Sequence, residues 1–209
     1  MRILIADDHP IVRRGLKEIL GDAFTRVTFG EAKTANETLD KVQSEAWDIV
    51  ILDISMPGKT GLDILGDLLR LRPRLPVLLL SVHPEEQYAR RALKAGAAGY
   101  LTKECVQDEL RDAVRRVQAG GRYVSSTLAE KLAFDLQRGA DKPAHELLSD
   151  REFQVLRMLA SGRTVKQIAD EIALSVKTVS TYRARILMKT GMKTTAELIR
   201  YALQAHLVD

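Results

Sequence analysis

Asp7 and Asp8 follow the run Arg2-Ile3-Leu4-Ile5-Ala6, and Asp53 follows Ile49-Val50-Ile51-Leu52. Both runs are short, rich in branched residues and free of polar alternation, the pattern of strands buried on both faces of a parallel sheet. Parallel strands bring their carboxyl ends to one edge, where ligands bind. The three acids are therefore expected to converge on one pocket. Three like charges held close are costly unless a hard cation with oxygen ligands neutralises them, and Mg²⁺ fits that role. A metal-bound carboxylate at a strand end is a candidate phosphoryl acceptor. His9 sits beside the acidic pair and could look like a metal ligand, but the Pro10 that follows makes it a helix-start residue, and an all-oxygen site does not need it.

The elements that must hold these acids are legible in the apolar periodicity. Strand-like runs fall near 2–6, 26–31, 48–52, 76–80 and 98–101, and helix-like stretches near 11–20, 35–45, 61–71, 85–95 and 106–119. Five such repeats imply a doubly wound α/β domain with a five-stranded parallel sheet and right-handed crossovers. Pro57-Gly58 and Pro73 mark loops, and Gly120-Gly121 ends the last helix. The expected first domain is 1–121. Residues 122–147 read as a linker containing a helix over 127–137 capped by Ser126, with 138–145 flexible.

From 148 to 209 only helical periodicity remains. Ser149-Asp150-Arg151-Glu152 has capping-box spacing, and Gly162 ends the helix it opens. Thr164 starts a short helix, the turn at Ala173-Leu174 follows, and Ser175 starts a longer one. Two short helices around a tight turn, the second basic, form a helix-turn-helix. A final helix over about 195–206 shows Ala196, Ile199, Leu203 and His206 at helical spacing.

The chain has 209 residues, long enough for two modest domains. No apolar run approaches the roughly 18 residues of a membrane span. The sequence starts on a strand pattern, without a signal-peptide pattern, and Cys105 is the single cysteine, so no intrachain disulfide or multi-cysteine metal site is available. A cytoplasmic protein without a membrane partner is the expectation. Charge is uneven: residues 1–125 carry 19 Lys/Arg against 18 Asp/Glu, and residues 126–209 carry 13 against 10. Ser175 to Thr195 holds Lys177, Arg183, Arg185, Lys189 and Lys193 and no acid, an electrostatic footprint for nucleic acid.

Together these pieces resemble a two-component response regulator of the NarL/FixJ class, a receiver domain joined to a LuxR-type helix-turn-helix. The resemblance covers essentially the whole chain. It rests on Asp7-Asp8, Asp53-Ile54-Ser55-Met56-Pro57-Gly58, Ser81, Tyr100 and Lys103, then on Leu148 to Glu152 and Val176 to Tyr182. The recognition helix is most similar to the UvrY/GacA branch. The resemblance implies Asp53 as phosphoryl acceptor from a sensor histidine kinase, and Mg²⁺ held by Asp8, by Asp7 mainly through water, by Asp53 and by the Ser55 carbonyl. It further implies Lys103 and Ser81 as partners of the phosphoryl group and Tyr100 as the aromatic switch coupled to Ser81. Mg²⁺-dependent self-phosphorylation and slow self-dephosphorylation would be the only catalysis, so the protein is not expected to be an enzyme in the usual sense. Many receivers carry Pro after the lysine, with a cis bond. Glu104 stands there, a cis bond before it would cost about 3–4 kcal/mol, and both backbone forms stay open.

Val179, Tyr182 and Ile186 are expected to face the core of the output domain, with Lys177, Ser180, Thr181, Ala184 and Met188 opposite. The resemblance places Ser180, Thr181 and Ala184 at base edges, beside Thr178 at the helix start. Lys177, Arg183, Arg185 and Lys189 read as phosphate contacts, which give affinity and salt dependence. Arg183 departs from the apolar residue common at its position, and Thr190 from a frequent Leu. The resemblance implies a dimer contact on the final helix, through Glu197, Leu198, Tyr201 and Ala202 or their neighbours, while other apolar residues of that helix close the domain. The resulting expectation is a transcription regulator that binds promoter double-stranded DNA and forms a homodimer on activation. A phosphorylation-independent DNA binder controlled by a partner or by expression level is the alternative. An Asp-nucleophile phosphatase would place a second Asp two residues after the nucleophile, where this chain has Ser55.

Overall fold

The computed structural model describes residues 1–56, 61–82, 85–104, 107–130, 133 and 143–208. Pro57-Gly58, Cys105, the linker residues 138–142 and most of the helix expected over 127–137 lie outside them. The chain forms two compact units, 1–138 and 139–209.

In the first unit, strands β1 (Arg2–Ala6), β2 (Thr28–Ala32), β3 (Ile49–Asp53), β4 (Val77–Ser81) and β5 (Gly99–Thr102) form a parallel sheet in the order β2-β1-β3-β4-β5. β3 and β4 are buried at every position, as continuous apolar runs require when helices cover both faces. Side chains alternate across the pleat. Ile3, Ile5, Ile49, Ile51, Leu78 and Leu80 pack with residues of α1 (Pro10–Ala23) and α5 (Gln107–Gln118). Leu4, Val50, Leu52, Leu79 and Tyr100 alternate to the other face, which α2 (Ala35–Ser44), α3 (Gly61–Leu71) and α4 (Glu85–Lys94) cover. The later strands begin one or two residues after the expected positions. Before β2 the reason is visible: Arg26 takes φ 58° in the turn, which delays pairing to Thr28. Residues 126–130 are helical, and Ser125 rather than Ser126 is the cap, its Oγ accepting the Leu128 N–H at 3.1 Å.

The second unit opens with a 3₁₀ turn, Ala144–Leu147, followed by α6 (Asp150–Ala160), α7 (Val165–Glu171), α8 (Val176–Thr190) and α9 (Thr195–Gln204). Each helix has a Ser or Thr N-cap whose hydroxyl accepts a backbone N–H: Ser149, Thr164, Ser175 and Thr194. Such caps each contribute about 1 kcal/mol. Ser149 with Glu152, and Thr164 with Gln167, form complete capping boxes. Ala173 at φ 53° makes the tight turn between α7 and α8, and Gly191 at φ 71° ends α8 in a conformation that favours glycine. Phe153, Leu156, Ile168, Val179, Ile186 and Leu198 form the core. Among the described residues, no helix is long and apolar enough to cross a membrane.

Candidate functional site

The carboxyl edge of the sheet collects the acids. β1 ends at Ala6, and Asp7 is fixed by its N–H donating to the Ala32 carbonyl at 3.1 Å. Asp53 is the last residue of β3, its side chain 0% exposed, with Oδ1 accepting the Ser55 N–H at 3.1 Å. Lys103 follows β5, anchored by its N–H to the Ser81 carbonyl. Its ammonium stands 2.7 Å from Asp7 Oδ2 and 3.0 Å from Asp53 Oδ2. Ser81 ends β4 and is fully buried, as is Tyr100, which pairs with Leu79 in the sheet. Asp8 is less covered, and Ser55 is exposed. Asp7, Asp8 and Asp53 thus converge as the strand pattern predicts, and Lys103 joins them as the resemblance implies. The Lys103–Glu104 bond is trans, like every peptide bond among the described residues.

Charge sets the chemistry here. Burial pushes the Asp53 carboxyl above the usual aspartate range, against the opposing pull of Lys103 and the Ser55 N–H. Burial alone would push the Lys103 ammonium down, but its bond to Asp7 and the charge of Asp53 outweigh that and raise it. Lys103 therefore offsets part of the charge of the three carboxylates in this pocket. Asp7 Oδ2, Asp8 Oδ1 and Asp53 Oδ2 are buried oxygens whose side-chain partners among the described residues are the Lys103 ammonium and the His9 ring alone. Hard oxygen donors with lone pairs still open suit a small divalent cation such as Mg²⁺. Ligand atoms of Asp7, Asp8, His9 and Asp53 all lie within 4.8 Å of one another.

Two supporting residues escape a reading of the sequence. Arg13 is buried behind the pocket, donating to the Asp7 carbonyl at 2.8 Å and to Glu31 at 2.7 Å. Glu31 is held below the usual glutamate range by its bonds to Lys17 and Arg13. Gly61 starts α3 so close to β3 that a Cβ there would lie 2.4 Å from the Asp53 carbonyl oxygen. His9, read from the sequence as a helix start, is the N-cap of α1, and its Nδ1 stands 2.8 Å from Asp8 Oδ1 and 3.2 Å from Asp7 Oδ1. Arg13 reads in sequence as one more charge on an amphipathic helix, and Gly61 as a helix start. Only the three-dimensional approach reveals either role.

The second unit presents α8. Val179 and Ile186 are buried and Tyr182 is half-buried, while Lys177, Thr181, Ala184, Arg185 and Met188 are exposed. Thr178, Ser180 and Arg183 are partly covered. The Thr178 hydroxyl bonds the Ser175 cap at 2.8 Å, and the Thr181 hydroxyl donates to the Lys177 carbonyl at 2.9 Å, leaving its methyl outward. Lys189 is occupied: its ammonium lies 2.6 Å from the buried Glu152 of α6. On α9 two of the four residues expected at a dimer contact lie in the domain core. Leu198 and Ala202 are 0% exposed in the domain core, whereas Leu203 is 47% exposed. Glu197 accepts the Lys193 N–H, and the Tyr201 hydroxyl contacts His145 Nδ1 at 2.8 Å. Leu198 and Ala202 therefore lack the surface that a dimer contact needs.

Comparison with known proteins matches both units. Residues 3–115 match the response regulator receiver domain, and residues 146–202 match the bacterial regulatory proteins of the luxR family. The response regulator GacA of Pseudomonas viridiflava is 38% identical over 210 residues, covering 100% of this chain and 98% of GacA. The response regulator UvrY of Escherichia coli (strain K12) is 33% identical over 205 residues, covering 98% and 94%. A solved structure of RcsB from Salmonella enterica serovar Typhimurium, bound to promoter rprA in the presence of the phosphomimetic BeF₃⁻, matches with a TM-score of 0.66 at 27% identity, covering 96% of this chain and 98% of that one. With both domain families matched in order and relatives above 30% identity along its length, the chain belongs to the two-component response regulators of the NarL/FixJ class, a receiver domain followed by a LuxR-type DNA-binding domain.

Proposed function

We propose that Asp53 accepts a phosphoryl group from a sensor histidine kinase and that this controls dimeric binding to promoter DNA by the second unit. The observation that carries the reading is the setting of Asp53: buried at the end of a central strand, faced by Lys103 at 3.0 Å, beside two further carboxylates. A carboxylate oxygen of Asp53 attacks phosphorus, the P–N bond of the kinase phosphohistidine breaks, and a P–O bond forms. Asp7, Asp8, Asp53 and the Ser55 carbonyl are the residues that would hold Mg²⁺, which when bound offsets charge on the transferring group. Lys103 then turns from Asp53 to a phosphoryl oxygen, and the Ser81 hydroxyl at the end of β4 bonds another. Tyr100, packed inside, is positioned to follow Ser81. Self-phosphorylation from a small donor and slow self-dephosphorylation are the only catalysis this site needs.

In the same reading α8 enters the major groove. Lys177, Arg183 and Arg185 contact phosphates, while Ser180, Thr181 and Ala184 meet base edges, with the Thr181 methyl and Ala184 suited to thymine. Thr178 keeps the helix start in register. The dimer contact falls to the open face of α9 around Ala196, Arg200 and Leu203. Such a regulator works in the cytoplasm, where kinase and DNA are both reachable.

The test treats the protein with Mg²⁺ and beryllium fluoride and measures solution mass and DNA affinity, with Asp53→Asn beside it. Dimerisation and tighter DNA binding in the unmodified chain alone are expected. Equal DNA binding in all samples would reject phosphorylation control and favour regulation by a partner or by expression level.

A further inference from the structure

The edge of the sheet opposite the acids carries a cavity of about 650 Å³, between the loop before β4 and the turn after α5. Leu75, Ala98 and Val117 give it apolar walls. From the turn side no side chain fills it, because Gly120 and Gly121 stand there. Its charged groups are Asp48, Arg74 and Arg122. Asp48 is engaged with β1: its Oδ2 accepts the Arg2 N–H at 2.7 Å, and its own N–H donates to the Arg2 carbonyl at 2.9 Å. Elsewhere in the first unit, Arg2, Arg14, Arg70, Arg111 and Arg115 each pair with an acid. Arg74 and Arg122 are exposed and, among the described residues, make no ion pair.

We propose that this cavity binds a small organic anion, its apolar body against Leu75, Ala98 and Val117 and its charge on Arg74 and Arg122. The volume is that of a small-molecule pocket, where apolar walls cover the body of a ligand and a few polar groups orient it. A guanidinium suits a carboxylate, sulfonate or phosphate because it offers two parallel N–H donors to two oxygens. A cationic ligand would meet two like charges, and a neutral one would gain nothing from either arginine. The site is independent of the chemistry at Asp53, on the other edge of the sheet. Arg122 precedes Tyr123, whose N–H donates to the Ala98 carbonyl at 2.8 Å as it bridges to β5. An anion held by both arginines therefore ties the segment that leaves α5 to the loop before β4.

The experiment titrates the full chain with 8-anilinonaphthalene-1-sulfonate, an aromatic sulfonate, and with N-phenyl-1-naphthylamine, the same rings without the charge, following probe fluorescence. Arg74→Gln, Arg122→Gln and, as a control on the basic helix α8, Arg185→Gln run beside the unmodified chain. Melting curves check the fold, which exposed arginines without ion pairs leave unchanged. The sulfonate is expected to bind about tenfold more tightly than the uncharged probe, the effect of charge-assisted hydrogen bonds. Arg74→Gln and Arg122→Gln are each expected to weaken the sulfonate by about fivefold or more and to leave the uncharged probe within about twofold, with Arg185→Gln without effect. No sulfonate binding, equal affinity for the two probes, or full sulfonate affinity in either cavity variant would overturn the proposal. Loss in Arg185→Gln instead would place the anion on α8 and overturn it as well.

Discussion

Asp53 is held in a state that costs the fold free energy. Burial raises its pKa above the unfolded value, so at neutral pH the folded protein bears a charge it would shed more readily than the unfolded chain. Asp53→Asn keeps the shape, removes that charge and leaves Lys103 its bond to Asp7 at 2.7 Å. We expect it to raise the melting temperature of the receiver in chelator by roughly 2–4 °C, a gain on the order of 1 kcal/mol. Lys103→Met is expected to have the opposite sign, because it leaves two buried carboxylates facing each other uncompensated. A melting temperature lowered by Asp53→Asn would mean that Lys103 stabilises Asp53 more than burial penalises it. The strand-end acids and Lys103 were legible in sequence because a parallel sheet gives a strand end a known place. Arg13 and Gly61 were not, because their roles depend on side-chain direction and backbone approach, which spacing does not encode.

At the scale of the helix, Lys189 and Lys177 look alike in sequence and differ in the structure. Lys189 of α8 ties to Glu152, which also caps α6 and is buried, while Lys177 is exposed near the start of α8. Lys177→Ala should leave stability nearly unchanged and reduce the slope of log affinity against log salt by about 0.9, the signature of one lost phosphate contact. Lys189→Ala should cost the second unit about 1–3 kcal/mol in denaturant melts and leave that slope unchanged. A reduced slope for Lys189→Ala would restore it as a phosphate contact. The pair has a pH signature. Although burial opposes it, Lys189 and the Ser149 cap hold the Glu152 pKa below its ordinary 4.5, so its stabilisation is present above that pH and is lost as pH falls through the lower folded value. Glu152→Gln should flatten that acid limb. The caps Ser149, Thr164 and Ser175 were legible because Ser and Thr at those spacings have one local job. The buried face of α9 was not: Leu198 and Ala202 form one stripe, Ile199 and Leu203 another one residue on, and periodicity alone does not choose between two apolar stripes so close on one helix.

Each of the two units has its own core, so the phosphoryl site and the DNA helix can communicate only by shifting populations of states that differ in what α8 can reach. Two such shifts are physically distinct. In one, the receiver covers α8 until phosphorylation releases it; in the other, α8 is always free and phosphorylation raises affinity by pairing two half-site readers. The fragment 143–209 separates them, because its capped helices and contiguous core let it fold without the receiver. Measured on one duplex selected from random-sequence DNA, the fragment should bind regardless of beryllium fluoride. Under occlusion it binds more tightly than the untreated full chain, by a factor equal to the inverse of the open fraction, about a hundredfold for a 1% open population. Under pairing alone the fragment binds no better than the untreated full chain, and only the treated full chain gains affinity. We expect occlusion to contribute, since a basic helix that binds DNA non-specifically at all times would gain little from a phosphoryl switch. A fragment no tighter than the untreated full chain would assign the whole effect to dimerisation.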